Sequence, residues 1–244
     1  MKGSEAAPGH LALPEGAGPS SPRPGVVLIP DVWGLSDLYR EFAERMAREG
    51  FVTLALDLHG EPVEITDPGR FLRELSDPEV LARVRSGLDF LASHPACAGR
   101  SLGVVGFCIG GTYALHAACS LDGVGATVAF YGILSHDHGL LHDPAGLDPA
   151  RKPRSALEAV ADLRCPTLGI FGTEDEYVPI DDVRELESRA DHAGRPLEVR
   201  LYPGCGHAFL NETRPAAHRP EAARDAWERM LGFLSRKLNS PARR

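Results

Sequence analysis

Val104-Val105-Gly106-Phe107-Cys108-Ile109-Gly110-Gly111 is the stretch on which the reading of this chain turns. The apolar run Leu102 to Val105 ends in Gly-x-Cys-x-Gly-Gly, and a small-residue segment with Thr112, Ala114, Leu115, Ala117 and Ala118 follows at once. Strand, sharp turn, helix is the geometry of a nucleophile elbow, here with Cys where Ser is commoner. The glycines have a steric reason. The central residue sits in strained backbone, and strand and helix pass so close that a Cβ two residues before or after it collides. Gly106 and Gly110 remove those atoms. The thiol then lies at a helix N-terminus, where free N–H groups and the helix dipole favour the nucleophilic thiolate. Two plainer readings compete: a structural Cys in a Gly-rich βα turn, or a dinucleotide loop. The latter wants Gly-x-Gly-x-x-Gly in the first βα unit, and this turn lies mid-chain without that pattern.

Outward from the elbow, apolar runs alternate with amphipathic segments. His10 to Leu13 reads as a short edge strand within an N-terminal segment, residues 1–24, and residues 25–240 read as a single domain. Val26 to Ile29 and Phe51 to Leu56 are unbroken apolar runs, the mark of strands covered on both faces. Between them Leu38, Phe42 and Met46 repeat at helical spacing after Ser36, an N-cap candidate, and Gly50 ends the helix. Glu61 to Ser76 reads as a polar, irregular stretch that covers a site. Asp77-Pro78 reads as an N-cap followed by Pro at the first helical position, opening a helix with Leu81, Val84, Leu88 and Leu91 on one face. Gly125 to Phe130 and Thr167 to Phe171 are further strands, separated by the long polar connection Ser135 to Arg154. Asp181 or Asp182 opens a helix that Gly194 ends. Leu197 to Leu201 alternates, which places it at a sheet edge with one wet face, and Ala223 to Leu238 is the last helix. The expected fold class is α/β, a doubly wound and mostly parallel sheet flanked by helices.

Composition narrows the partners. The 244 residues carry 26 Lys and Arg against 34 Asp and Glu, a net charge of −8, with no basic cluster before Arg243-Arg244. Nucleic acid is not the expected partner. No apolar run reaches membrane-spanning length, and Met1 to Ser21 lacks the apolar core of a signal peptide. Five scattered cysteines (Cys97, Cys108, Cys119, Cys165, Cys205), without a Cys-x-x-Cys pair, fit reduced thiols in a cytoplasmic protein.

Ligands of such sheets bind at the carboxyl ends of the strands. Just past strand ends lie Cys108, then Asp175 in Gly172-Thr173-Glu174-Asp175-Glu176, then His207 in Pro203-Gly204-Cys205-Gly206-His207. Nucleophile, acid, base is the chain order of an α/β-hydrolase triad, with Glu174 and Glu176 as neighbouring alternatives for the acid. Asp31, Trp33, His59, Tyr131, Phe209 and Asn211, also past strand ends, and Arg70 and Arg73 in the covering stretch, are candidates for the substrate pocket.

These motifs carry a resemblance. From the Pro14-Glu15-Gly16 turn to the final helix the chain resembles the dienelactone hydrolase family. The resemblance rests on Gly106 to Gly111, on Gly172 to Asp175 with Val178-Pro179, and on Pro203 to Phe209, with support from Asp31 to Gly34, Asp57-Leu58 and Ala222 to Trp227. It implies an α/β-hydrolase fold, a Cys108–His207–Asp175 triad and an oxyanion hole from the backbone N–H groups of Val32 and Ile109. The implied reaction cleaves a small ester or lactone through a thioester acyl-enzyme, without metal or cofactor. Monomer or weak homo-oligomer is the expected state. Two positions depart from the family pattern: Asp31 stands where the family has a thiol-holding Glu, and Asn211 where it has a carboxylate-binding Arg. With Arg70, Arg73 and Arg214 as the remaining sources of a guanidinium, little preference for an acidic lactone is expected. Two other classes of function are weighed against this one. His136, His138 and His142, in a nine-residue stretch with two Asp, have the composition of a zinc site. A thiol sensor on a hydrolase scaffold would need Cys108 but neither Asp175 nor His207.

Overall fold

A computed structural model describes residues 8–59 and 64–239. Among the described residues seven strands form one sheet: β1 Gly9–Ala12, β2 Gly25–Ile29, β3 Val52–Leu56, β4 Leu102–Phe107, β5 Val124–Phe130, β6 Thr167–Gly172 and β7 Leu197–Tyr202. Their order is β1-β3-β2-β4-β5-β6-β7. All neighbours are parallel except β1, which runs antiparallel along β3 with Gly9 opposite Leu56. The chain has the α/β-hydrolase fold, with β4 at the centre and every parallel strand pointing its carboxyl end the same way. Residues of β2, β3, β4 and β6 are buried throughout, as expected of strands covered on both faces. Edge strand β7 alternates between half-buried and exposed positions over most of its length.

Successive strand residues feed opposite cores. Val27, Ile29, Leu54 and Val104 pack on the side of helices α3 (Asp77–Ser93), α4 (Ile109–Ser120), the short α5 (Ala156–Ala159) and α6 (Ile180–His192). Val26, Leu28, Val105 and Phe107 pack on the side of α1 (Asp37–Arg48) and α7 (Pro220–Leu238), against Phe42, Met46, Met230 and Leu234. This alternation, with period 2, is what a two-faced parallel sheet requires.

Three local expectations change. Glu61 to Ser76 is not irregular throughout. Residues 61–63 lie outside the described residues, but Pro68–Glu74 forms helix α2, whose cap Asp67 accepts from Arg70 N at 3.0 Å. Asp67-Pro68 is the same capping signature as Asp77-Pro78, placed one helix earlier. The second change is at Asp77 itself. The residue in the capping position is Ser76, and the Asp77 side chain is buried. Asp77 Oδ1 accepts from Lys152 Nζ at 2.5 Å and from the Tyr113 hydroxyl at 2.9 Å, while Asp77 N donates to Arg151 O. The third is small: α6 opens at Ile180, so Asp181 and Asp182 occupy its first turn, where negative charge suits the dipole.

Lys152 therefore straps the 135–154 connection to α3 and to α4, the helix that follows the elbow. Burial pushes Lys152 below its ordinary value and Asp77 holds it up. Removing one partner leaves a buried charge alone, so Lys152→Ala should destabilise the protein by about 3–5 kcal/mol in urea unfolding. Lys152→Met combined with Asp77→Leu should cost much less than Lys152→Ala alone; equal losses would overturn the strap.

A second buried group on α4 gives a pH signature. His116 is buried, its Nε2 has no partner among the described residues, and burial pulls it down to about 4, with Lys152, His136 and Arg154 opposing its proton and Asp77 favouring it. The unfolded chain protonates His116 near 6.5, so the stability held by the neutral ring is present above that pH and is lost as pH falls toward 4. The loss amounts to at most about 3 kcal/mol. Urea unfolding at pH 7 and pH 4.5 should show His116→Gln losing less stability on acidification than the wild type.

Candidate active site

Cys108 joins β4 to α4 with φ 56° and ψ −123°, a backbone that L-residues rarely adopt. Three contacts hold it there. Its N–H donates to Phe130 O at 3.0 Å, and its carbonyl accepts from Gly111 N at 2.8 Å and Thr112 N at 3.2 Å. A Cβ at Gly106 would fall on the Gly110 carbonyl, and one at Gly110 would fall on the Ile29 and Pro30 carbonyls at the end of β2. Gly106 thus clears the elbow's own helix, whereas Gly110 clears the neighbouring strand. Gly111 clears Phe130 O in the same way.

Asp175 and His207 follow β6 and β7. His207 Nδ1 lies 2.9 Å from Asp175 Oδ2 and 3.1 Å from Oδ1. The Asp175 side chain is wholly buried, and its Oδ1 also accepts from Tyr177 N at 2.9 Å and Val178 N at 3.2 Å. Those backbone donors fix the carboxylate and select Asp175 over Glu174 and Glu176 as the partner of His207. The imidazole is held between Tyr131 and Tyr177, both edge-on, with ring centroids 5.0 and 5.1 Å away. Its Nε2 is buried with no hydrogen-bond partner among the described residues. Burial opposes a charge on His207, but its charge and hydrogen-bond interactions with Cys108 and Asp175 outweigh that and raise the group to about 10. The Cys108 thiol is thus close enough to the imidazole to act on it, both through charge and through hydrogen bonding.

Among the described residues, the non-glycine positions with left-handed backbone are Cys108, Tyr131 and Ala208. One is the elbow residue, one packs on the His207 ring and one follows His207 in sequence. Strained backbone of this kind collects at functional sites.

The other predicted residues divide. Val32 and Ile109, the implied oxyanion donors, follow β2 and open α4, and neither N–H donates a hydrogen bond among the described residues. Asp31 is buried. Burial raises it above the ordinary carboxylate value, while Trp33 N, the Tyr39 hydroxyl, Arg214 and His207 pull it back. His59 is committed to the backbone, with Nε2 3.0 Å from Val32 O. Trp33 is 46% exposed, and the Arg214 guanidinium lies over its ring, 5.9 Å from the centroid. Tyr131 belongs to the site, and burial beside Cys108 and Asp31 raises its hydroxyl so that it stays protonated.

Four candidates do not join them as pocket groups. Arg70 pairs with Glu74 on its own helix, and Arg73 with Asp143 and Leu140 O, both in the strap region. Phe209 is fully buried against Tyr131 and Tyr202. Asn211 turns its Oδ1 back to Thr213 N and Oγ1. The structure brings Arg214 instead, within electrostatic reach of Asp31 and Tyr131. Tyr39 and Tyr177 escaped the sequence reading: Tyr39 is indistinguishable from a core residue of α1, and Tyr177 sits in an unpatterned loop.

The zinc reading finds no support. His138 pairs with Asp182 on α6, His142 Nδ1 lies 3.4 Å from His136 O, and no group of three metal-ligating side chains occurs among the described residues. No described helix is long and apolar enough to cross a membrane.

Comparison with known proteins follows the same lines. The chain is 32% identical over 216 residues to the "Probable 2-oxo-3-(5-oxofuran-2-ylidene)propanoate lactonase" of Bradyrhizobium sp, covering 86% of this chain and 83% of the relative. It is 29% identical over 233 residues to the "Putative carboxymethylenebutenolidase" of Escherichia coli K12, covering 93% and 81%. A solved "Putative Dienelactone Hydrolase" from Klebsiella pneumoniae superposes with a TM-score of 0.78 at 27% identity, covering 88% of each chain. The profile of the dienelactone hydrolase family matches residues 8–238. Strand order, elbow, ion-paired histidine and this near full-length match agree: the chain belongs to the dienelactone hydrolase family and is a carboxylic ester hydrolase.

Proposed function

We propose that this enzyme opens small, activated esters or lactones with Cys108 as nucleophile, His207 as general base and acid, and Asp175 as the group that orients His207. The observation that supports it most is the His207 ring, which is paired through Nδ1 to a buried carboxylate and leaves Nε2 unpartnered on the side where Cys108 acts on it. The Cys108 sulfur adds to the carbonyl carbon. The oxygen gathers negative charge toward the N–H groups of Val32 and Ile109, a stabilisation of about 3 kcal/mol per donor. Collapse forms the thioester and breaks the acyl–oxygen bond, and His207 Nε2 protonates the departing oxygen. Water then attacks the thioester while His207 accepts its proton, and carboxylate and thiol are released. All five cysteines are buried and unpaired, in keeping with a cytoplasmic setting.

Leaving-group chemistry sets the substrate class. A thiolate is itself readily expelled from the tetrahedral intermediate, so the acyl group passes to sulfur only when the competing group leaves well, as an enolate or phenolate does. Amines leave poorly, which disfavours peptides. The lactonase and carboxymethylenebutenolidase names of the relatives support lactones. Asn211 at the position of the family's carboxylate-binding Arg carries the expectation of little preference for an acidic lactone; Arg214 over Trp33 reverses it, because it places a guanidinium beside the site, and a substrate carboxylate is its natural partner.

Two measurements test these readings. Burial pushes the Cys97 and Cys119 thiols up to about 12 and raises Cys165 and Cys205 above their ordinary value. Substoichiometric iodoacetamide read by peptide mass spectrometry should label Cys108 first, and Cys108→Ala should abolish hydrolysis of phenyl and enol esters. Preferential labelling of Cys205, or full activity in Cys108→Ala, overturns the nucleophile assignment. For substrate charge, kcat/KM should favour a carboxylated enol lactone over its neutral analogue by about tenfold, some 1.4 kcal/mol, and Arg214→Ala should erase the preference. An unchanged ratio in the variant removes Arg214 from recognition.

A further inference from the structure

The turn that follows β2 is held in an unusual way. Asp31 Oδ1 accepts from Trp33 N at 3.0 Å, and Asp31 O accepts from Gly34 N at 3.0 Å. His59, which follows β3, reaches across to place Nε2 3.0 Å from Val32 O, so that this ring nitrogen is the donor. The carbonyl of Val32 and the N–H of Trp33 belong to one peptide unit. That unit is therefore gripped at both edges, by an imidazole on one side and a carboxylate on the other. Gly34, at φ 75°, makes room for the grip, because a Cβ there would stand 2.7 Å from His59 Cδ2. The grips are themselves braced. The His59 N–H donates to Asp57 Oδ1 at 3.1 Å, and its ring meets Phe71 of α2 edge-on at 5.4 Å. Asp31 is flanked by the Tyr39 hydroxyl of α1 and lies within electrostatic reach of Arg214 and His207.

Immediately before the gripped peptide comes Val32 N–H, which donates to nothing among the described residues. A free donor whose direction is fixed by its neighbours is what an oxyanion hole needs, since the gain comes from dipoles that do not have to reorient as charge develops. We infer that Asp31 and His59 are positioning residues: together they clamp the Val32–Trp33 peptide and so aim the Val32 N–H at the developing oxyanion. This rests on the reading of Val32 as an oxyanion donor. It gives Asp31 a task unlike that of the longer Glu that the family resemblance places here. The shorter carboxylate closes on its own turn through Trp33 N, and the thiol is not its partner.

The distinction can be measured because alkylation of a thiol by iodoacetamide forms no oxyanion, whereas ester hydrolysis does. Asp31→Ala and His59→Ala should each lower kcat for p-nitrophenyl acetate by roughly tenfold to a hundredfold, part of the loss seen when a whole donor is removed. The rate of Cys108 alkylation should change far less than kcat, and Tm should show each variant folded at the assay temperature. Asp31→Asn keeps an oxygen for Trp33 N, and His59→Gln keeps an N–H for Val32 O, so each should recover most of the kcat lost in the alanine variant. Amide exchange at Trp33, followed by NMR, should be slow in the wild type and Asp31→Asn and fast in Asp31→Ala. The inference is overturned if Asp31→Asn is as slow in turnover as Asp31→Ala, or if alkylation changes in step with kcat, the signature of a group that holds the thiol. If the wild type hydrolyses no ester while Trp33 exchange follows the predicted pattern, the grip is real, and it is the hydrolase reading, with the oxyanion role built on it, that falls.

Discussion

The contact on which the site depends is one without side chains: the approach of β4 to the first turn of α4, with the Gly106 α-carbon against the Gly110 carbonyl and Gly110 against the end of β2. A single Cβ at either place would separate strand from helix. The separation would unwind the left-handed backbone at Cys108, move its sulfur away from His207, and rotate the N–H groups that open α4. The position of the thiol, its approach to His207 and the direction of those N–H groups are thus geometrically one property. The sheet enforces it because β2 and β5, the strands on either side of β4, press on the turn through the Ile29, Pro30 and Phe130 carbonyls.

Around that turn the protein arranges charge with few exposed groups. Asp175 is taken wholly out of water, and its oxygens accept from His207 and two backbone amides. Tyr39 and Tyr131 are buried and stay neutral, so they contribute dipoles and ring edges rather than charges. The result is a site in which Cys108, His207 and the Asp175 carboxylate lie in sequence, with the Arg214 guanidinium nearby over Trp33. Low dielectric strengthens each of those interactions.

Much of this was legible in the sequence because period and spacing are one-dimensional signals. The buried runs Val26–Ile29 and Phe51–Leu56 read as two-faced strands because they are short, apolar and bounded by Gly25, Pro30 and Gly50, and the order Cys108, Asp175, His207 follows from strand order. What escaped is what depends on folding distant segments together. Asp77 looks like a helix cap because Pro78 follows it. Only the arrival of Lys152, 75 residues on, turns it into half of a buried ion pair. Likewise His59 is one histidine among ten until β3 delivers it beside Val32. Arg70 and Arg73 were attractive as cations in a covering loop, but a helix formed there and gave them local partners. Helix α2 itself was missed although its Asp-Pro start was in plain view, because a seven-residue helix is too short to show a period.

The elbow's strain has a consequence for how such an enzyme changes its chemistry. Because backbone contacts alone hold the position and direction of the side chain at 108, the scaffold is indifferent to which atom hangs from that Cβ. Sulfur and oxygen can be exchanged there without rebuilding any neighbour, whereas the glycines on either side cannot change at all. The elbow position is therefore open to substitution by sequence drift, while its glycine neighbours are frozen. Leaving-group preference can evolve by one-atom steps on a frame that never moves.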